Sequence, residues 1–186
     1  AADLERLLSG STGLVLVDEA YADFCGQDFA SRVRRFDNLV VSRTFSKSHG
    51  LAGLRVGYGV ANRPVMEKMY GAKTPLTLSA ASEAIALESL ADPSFVRETV
   101  AGVQRERLRM AGLLAELGCS SYRTDANFML VDLGGPSGPL AAFLRSKGVV
   151  TRSMGDVPGL ESCLRVTVGR PEHTDRLVAL IREYRS

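Results

Sequence analysis

The sequence predicts an α/β fold in two parts, and three observations carry that prediction. Leu14-Val15-Leu16-Val17 and Leu39-Val40-Val41 are short continuous apolar runs, the pattern of strands covered on both faces. The stretch from Pro93 to Leu117 carries apolar residues at the spacing of a long amphipathic helix. Beyond it the pattern restarts as strand, helix, strand, strand, helix, which is a small α/β unit in its own right.

Taken in order, Ala2-Asp3-Leu4-Glu5-Arg6-Leu7-Leu8 reads as a helix with no start signal before it, so an upstream segment is expected. The first strand follows Ser9 to Gly13 and ends in Asp18-Glu19-Ala20-Tyr21. The second leads into Ser42-Arg43-Thr44-Phe45-Ser46-Lys47, and a third, Leu54 to Val60, mixes Arg55, Val56 and Tyr58 with glycines. These three are expected side by side in one sheet. Pro64 to Tyr70 and Ala80 to Leu90 have helical spacing, and the long helix presents Val96, Val100, Val103, Leu108, Leu114 and Leu117 as a core stripe, with Gly118 as its stop. Strands at Asn127 to Leu133, Val149 to Arg152 and Cys163 to Val168, and helices at Pro139 to Ser146 and Pro171 to Tyr184, complete the second part. The boundary falls within or just after the long helix.

Composition narrows the function classes. A chain of 186 residues with 45% hydrophobic and 24% charged residues can bury a core and is too apolar to be disordered. A net charge of +2, with 23 basic and 21 acidic residues spread along the chain, leaves no footprint for nucleic acid or an anionic membrane and points to small-molecule chemistry. No apolar run reaches the roughly 20 residues needed to cross a bilayer, and a cytoplasmic setting is expected. Cys25, Cys119 and Cys163 are widely spaced, with no pair suited to a metal or redox motif, and are expected to be buried reduced thiols; no metal is expected.

The stretch Ser42 to Tyr58, S-R-T-F-S-K-S-H-G-L-A-G-L-R-V-G-Y, concentrates the chemistry. Hydroxyls at Thr44, Ser46 and Ser48 surround Lys47, and Arg55 lies eight positions beyond it. A lysine amine can condense with an aldehyde, and an arginine fork with hydroxyls can hold a phosphate through paired hydrogen bonds. A phosphorylated aldehyde is therefore a fitting ligand. By composition alone the same loop could be a solvated turn.

The pattern S-R-T-F-S-K followed by G-L-A-G-L-R-V-G-Y resembles the lysine segment of the fold-type I pyridoxal-phosphate-dependent aminotransferases, in detail those of the histidinol-phosphate type. The resemblance implies that Lys47 binds the cofactor and is catalytic, and that Thr44, Ser46 and Arg55 hold its phosphate. L-V-L-V-D-E-A-Y resembles the preceding strand of the family, so Asp18 would pair with the pyridine nitrogen and Tyr21 with the ring's phenolic oxygen. S-C-L-R-V-T-V-G resembles the strand whose arginine grips the substrate carboxylate or its counterpart, here Arg165. Ala126 to Asp132 resembles the first strand of the family's small domain and carries no catalytic role. His49 is assigned to shaping the turn, since the family's lysine moves the proton, and His173 has no chemical assignment.

On this resemblance the chain is the second half of a protein roughly twice its length. Residues 1–92 would be part of the large cofactor-binding domain, a mostly parallel sheet with helices. Residues 93–117 would be a connecting helix and residues 118–186 the small α/β domain. The implied activity moves an amino group between glutamate or 2-oxoglutarate and a phosphorylated amino compound, histidinol phosphate being favoured, in histidine biosynthesis by a homodimer. Two alternatives stay open: a threonine-phosphate decarboxylase, and a truncated domain without activity. Nothing before Leu14 matches the family's phosphate-binding loop, its ring-stacking aromatic or its asparagine near the phenolic oxygen.

Overall fold

In the computed structural model, which describes residues 2–74 and 77–186, the chain divides into two units, Ala1–Arg97 and Glu98–Ser186. The first unit is built on a three-stranded sheet in the order β1 (Val15–Asp18), β2 (Leu39–Thr44), β3 (Gly57–Ala61). The expected neighbourhood of the three strands holds. β1 and β2 run parallel, β2 and β3 antiparallel, so the sheet is mixed.

Helix α1 (Ala2–Gly10) precedes β1, and its one buried side chain, Leu8, packs with Val33, Leu39 and Val41. β2 is the central strand, and Leu39, Val40 and Val41 are all buried, as its continuous apolar run predicts. β1 departs from that prediction: Val15 and Val17 join the Leu8 cluster, but Leu14 and Leu16 are 62% and 65% exposed. The reason is position, since β1 is an edge strand and only one of its faces meets the core within this unit.

Between β1 and β2 lie a four-residue helix α2 (Ala22–Cys25), anchored by buried Ala22 and Phe24, and a 3-10 turn at Ala30–Arg34. Cys25 is exposed rather than buried: it is the last residue of α2, and the inward positions of that turn belong to Ala22 and Phe24. Cys119 and Cys163 are buried, and all three cysteines are free thiols.

β3 begins later than the run from Leu54 predicts. A 3-10 turn at Ala52–Leu54 ends at Arg55, whose left-handed backbone (φ 55°, ψ 42°) cannot belong to a strand. Helix α3 (Arg63–Ala72) is capped by the Asn62 side chain, which accepts from the Val65 amide at 3.1 Å. Helix α4 (Ala80–Ala91) is capped in the same way by Ser79, which accepts from the Ser82 amide at 3.1 Å. The division between the units falls inside the long helix α5 (Pro93–Glu116).

The second unit is a four-stranded antiparallel sheet in the order β4 (Ser120–Ser121), β5 (Phe128–Asp132), β7 (Cys163–Thr167), β6 (Arg152–Ser153). Two helices, α6 (Ser137–Ser146) and α7 (Pro171–Arg185), share with α5 a core that includes Met110, Leu114, Met129, Leu144, Leu164 and Ile181. On α5 that core takes Met110 and Leu114, whereas Leu108 is 75% exposed. The two register positions lie four residues apart on one face, and Leu108 turns to the other side of the helix. Gly118, with φ 70°, ends the helical path as predicted. β6 is shorter and later than the stretch from Val149 implies, because Val150 stands in the loop, 72% exposed. His173 Nδ1 accepts from the Arg170 amide at 3.4 Å and closes the first turn of α7, a structural task.

Candidate active site

The predicted residues of the first unit collect beyond the carboxyl ends of the parallel strands β1 and β2, the place where open α/β sheets hold ligands. Asp18 is the last residue of β1 and stands opposite Ser42 in the register. Its Oδ1 accepts from the Ala20 amide at 3.0 Å and from the Ser42 hydroxyl at 3.2 Å, so the carboxylate is oriented by both strands.

Lys47 lies in the turn after β2, closed by the Gly50 amide donating to the Lys47 carbonyl at 3.1 Å. Gly50 takes φ 70°, a conformation that suits glycine. The Lys47 Nζ sits 5.4 Å from the centroid of the Tyr21 ring, a cation–π distance. Two residues named from separate motifs are thereby brought together.

Thr44, Ser46 and Arg55 gather by backbone geometry. Thr44 ends β2; its Oγ1 accepts from the Ser46 amide at 3.1 Å and donates to the Val56 carbonyl at 3.4 Å. The Phe45 amide donates to the same Val56 carbonyl at 3.1 Å, which joins the residue after Arg55 to the segment leading to Lys47. Arg55 is exposed, its Nη1 donating to the Ala52 carbonyl at 3.0 Å, and it is the sole non-glycine residue with positive φ among the described residues. Strain of this kind at a surface arginine fits a ligand-facing position.

Side chains around this cluster support it, and of these Glu19 and Arg43 had no assignment from the sequence. Glu19, buried, accepts on Oε2 from Arg43 Nε and Nη2 at 2.9 and 2.7 Å and on Oε1 from the Phe29 amide at 2.6 Å. Burial works against the Arg43 charge, but hydrogen bonds to Glu19 and Tyr58 outweigh it and raise the Arg43 pKa. Ser48, buried, donates to the Asp23 carboxylate. His49 Nδ1 pairs with the Ser89 hydroxyl at 2.8 Å and its ring lies 4.7 Å from that of Phe45, in keeping with a turn-shaping role. Burial lowers its pKa from the usual value, partly offset by the Asp23 charge.

In the second unit, Arg165 lies on β7, its guanidinium 4.0 Å from the Phe128 ring centroid, opposite Arg152 on β6. Both line a cavity of about 770 Å³, together with Arg145, Thr151, Ser153 and Thr167. Three guanidiniums and three hydroxyls line it, groups that donate to anions. Arg152 was missed by sequence reasoning; strand pairing with Arg165 is the signal that exposes it.

Can the first-unit residues hold pyridoxal phosphate? The donor set fits: a carboxylate held by two strands, a phenol ring beneath a lysine amine, and two hydroxyls with an arginine at one turn.

Comparison with known proteins identifies the family. Among curated relatives, the histidinol-phosphate aminotransferase of Thermoanaerobacter pseudethanolicus is 36% identical over 182 residues, 97% of this chain and 51% of that protein. The structure of histidinol-phosphate aminotransferase from Sinorhizobium meliloti in complex with pyridoxal-5'-phosphate matches with a TM-score of 0.85 and 26% identity, over 97% of this chain and 53% of that one. L-threonine-O-3-phosphate decarboxylase from Porphyromonas gingivalis matches with a TM-score of 0.86 and 25% identity, over 98% and 58%. The chain thus spans about half the length of the curated relatives it matches. The family model for aminotransferase class I and II matches residues 1–181, and the chain belongs to that family.

Proposed function

We propose that this chain carries the cofactor-holding lysine and the small domain of a pyridoxal-phosphate-dependent aminotransferase. The full-length protein would transfer an amino group between glutamate or 2-oxoglutarate and histidinol phosphate, serving histidine biosynthesis. The observation that carries the reading is the approach of the Lys47 amine to the Tyr21 ring, 5.4 Å from its centroid, in a turn flanked by Thr44, Ser46 and Arg55. Pyridoxal phosphate, when bound, supplies an aromatic ring that accepts the electrons left as a proton departs from the substrate Cα.

The chain's residues have distinct tasks in this scheme. Lys47 would hold the cofactor through its amine, and the same amine, when free, would move a proton at the substrate Cα. Asp18 keeps a positive charge on the pyridine nitrogen, and Tyr21 donates to the phenolic oxygen. Thr44, Ser46 and Arg55 hold the phosphate, with Arg55 suited to paired hydrogen bonds. Arg165, aided by Arg152 and Arg145, holds the substrate's anionic group; a phosphorylated amino compound is a good match for a cavity with three guanidiniums.

Residues 1–92 are taken as part of the large domain, 93–117 as the connecting helix and 118–186 as the small domain. Among the described residues no helix is long and apolar enough to cross a membrane, and we assign the protein to the cytoplasm, as a homodimer in its full-length form.

Reduction with borohydride after mixing with pyridoxal phosphate, followed by peptide mapping, tests the core of the reading. The chain is used alone and with a separately expressed N-terminal half. The label should fall on Lys47; a label elsewhere defeats the assignment. The likeness to threonine-phosphate decarboxylase supports a second reading, and product analysis separates them: carbon dioxide release marks a decarboxylase and a keto product the aminotransferase. The isolated chain is expected to show weak activity or none.

A further inference from the structure

We propose that Asp23 and Ser48 are positioning residues, whose hydrogen bond clamps the turn bearing Tyr21 to the turn bearing Lys47 and so sets the lysine amine over the tyrosine ring. The inference deepens the functional reading and rests on Lys47 being the cofactor-holding residue.

Lysine has a flexible four-carbon stem with many rotamers, so its own backbone does not fix where its amine lies. The turns must be held relative to each other for the Lys47 amine to stay 5.4 Å from the Tyr21 ring centroid. Tyr21 and Lys47 come from different segments, and one side-chain bond joins the residues beside them. Asp23 stands two positions after Tyr21 on α2, Ser48 one position after Lys47, and the Ser48 hydroxyl donates to Asp23 Oδ2.

Each end of this bond is anchored. Ala22 and Phe24, on either side of Asp23, are buried and fix α2 to the unit. Ser48 is itself only 1% exposed, and a hydroxyl so placed needs its partner. The next residue, His49, is tied to Ser89 at 2.8 Å and packed on Phe45, so the far flank of the Lys47 turn is held to α4. Asp23, by contrast, is exposed.

The test reads the lysine directly, in the 186-residue chain without added cofactor. Carbon-13-labelled lysine is observed by NMR, with Lys47→Arg assigning the Lys47 ε-methylene signal. In the wild type that signal should be shifted upfield by the Tyr21 ring current, and Tyr21→Leu should abolish the shift. Ser48→Ala and Asp23→Ala should move it toward the position of exposed Lys68, while Asp23→Asn and Ser48→Thr, which keep an acceptor and a hydroxyl, should retain it. A merely structural bond would lower the urea midpoint without moving this resonance selectively. If Ser48→Ala does not fold, the two Asp23 variants decide, since that side chain is at the surface. An unmoved Lys47 signal in Asp23→Ala overturns the clamp. Because the signal needs no cofactor, this failure is distinct from a borohydride label falling away from Lys47.

Discussion

Arg43 places two guanidinium nitrogens on the same carboxylate oxygen of Glu19, one residue beyond the Asp18–Ser42 pair that ends the parallel ladder. The Glu19 side chain is 4% exposed and that of Arg43 23%, so removing Arg43 leaves a buried carboxylate without its cation, whereas removing Glu19 leaves Arg43 still paired with Asp28 at 2.8 Å. Loss of one member of a buried pair costs about 3–5 kcal/mol. Arg43→Gln should therefore lower the urea midpoint markedly, Glu19→Gln should lower it less because Asp28 still meets Arg43, and the double change should cost less than the sum of the single changes. Additive losses would show that the two side chains do not act as a pair.

Gly57 tests the neighbouring junction, between β2 and β3. A Cβ there would lie 2.7 Å from the Arg43 carbonyl oxygen, a backbone atom with little freedom to retreat. Gly57→Ala should cost about 1–3 kcal/mol, as overpacking does, in chemical denaturation. An unchanged midpoint would mean that β2 and β3 are not so closely apposed.

Arg55 separates stability from ligand binding. Its left-handed backbone carries a penalty of about 1–2 kcal/mol that glycine avoids, while glycine adds about 0.5–1 kcal/mol of unfolded-state entropy. Arg55→Gly should thus fold as well as the wild type or up to about 1.5 kcal/mol better. Capture of pyridoxal phosphate, followed by absorbance, should weaken at the same time. Unimpaired capture would remove Arg55 from the phosphate site.

His49 gives the first unit a pH dependence. Burial lowers its pKa in the folded state, so the unfolded chain binds the proton more readily. The stability contributed by neutral His49 is complete above the usual histidine pKa and is lost as pH falls through the folded value. Urea midpoints should drop on acidification over that range, and less steeply in His49→Gln. Equal slopes in the two proteins would contradict this assignment.

What could be read from the sequence was what lies contiguous in it. Lys47, Thr44, Ser46 and Arg55 share one spaced segment, and the apolar run of β2 predicted a strand covered on both faces because it is central. The same reasoning failed for Leu14 and Leu16, since an apolar run does not say whether a strand lies at a sheet's edge. On the long helix Leu114 fills the core as its spacing predicted, but Leu108 does not and Met110, which was left out, does, since a long helix offers more than one acceptable stripe. Glu19–Arg43, Asp23–Ser48 and Arg152–Arg165 were invisible because each is a pairing across strand register or between turns.

The opposition of Arg152 and Arg165 has a thermodynamic side. Residues directly across an antiparallel pair share a face, and like charges so placed repel. An oxyanion seated between them converts that repulsion into attraction on both sides, so occupancy and folding of this sheet are linked quantities. Sulfate or phosphate in the buffer should raise the melting temperature of the second unit more than chloride at equal ionic strength, making the choice of salt a hidden variable in any measurement of its stability.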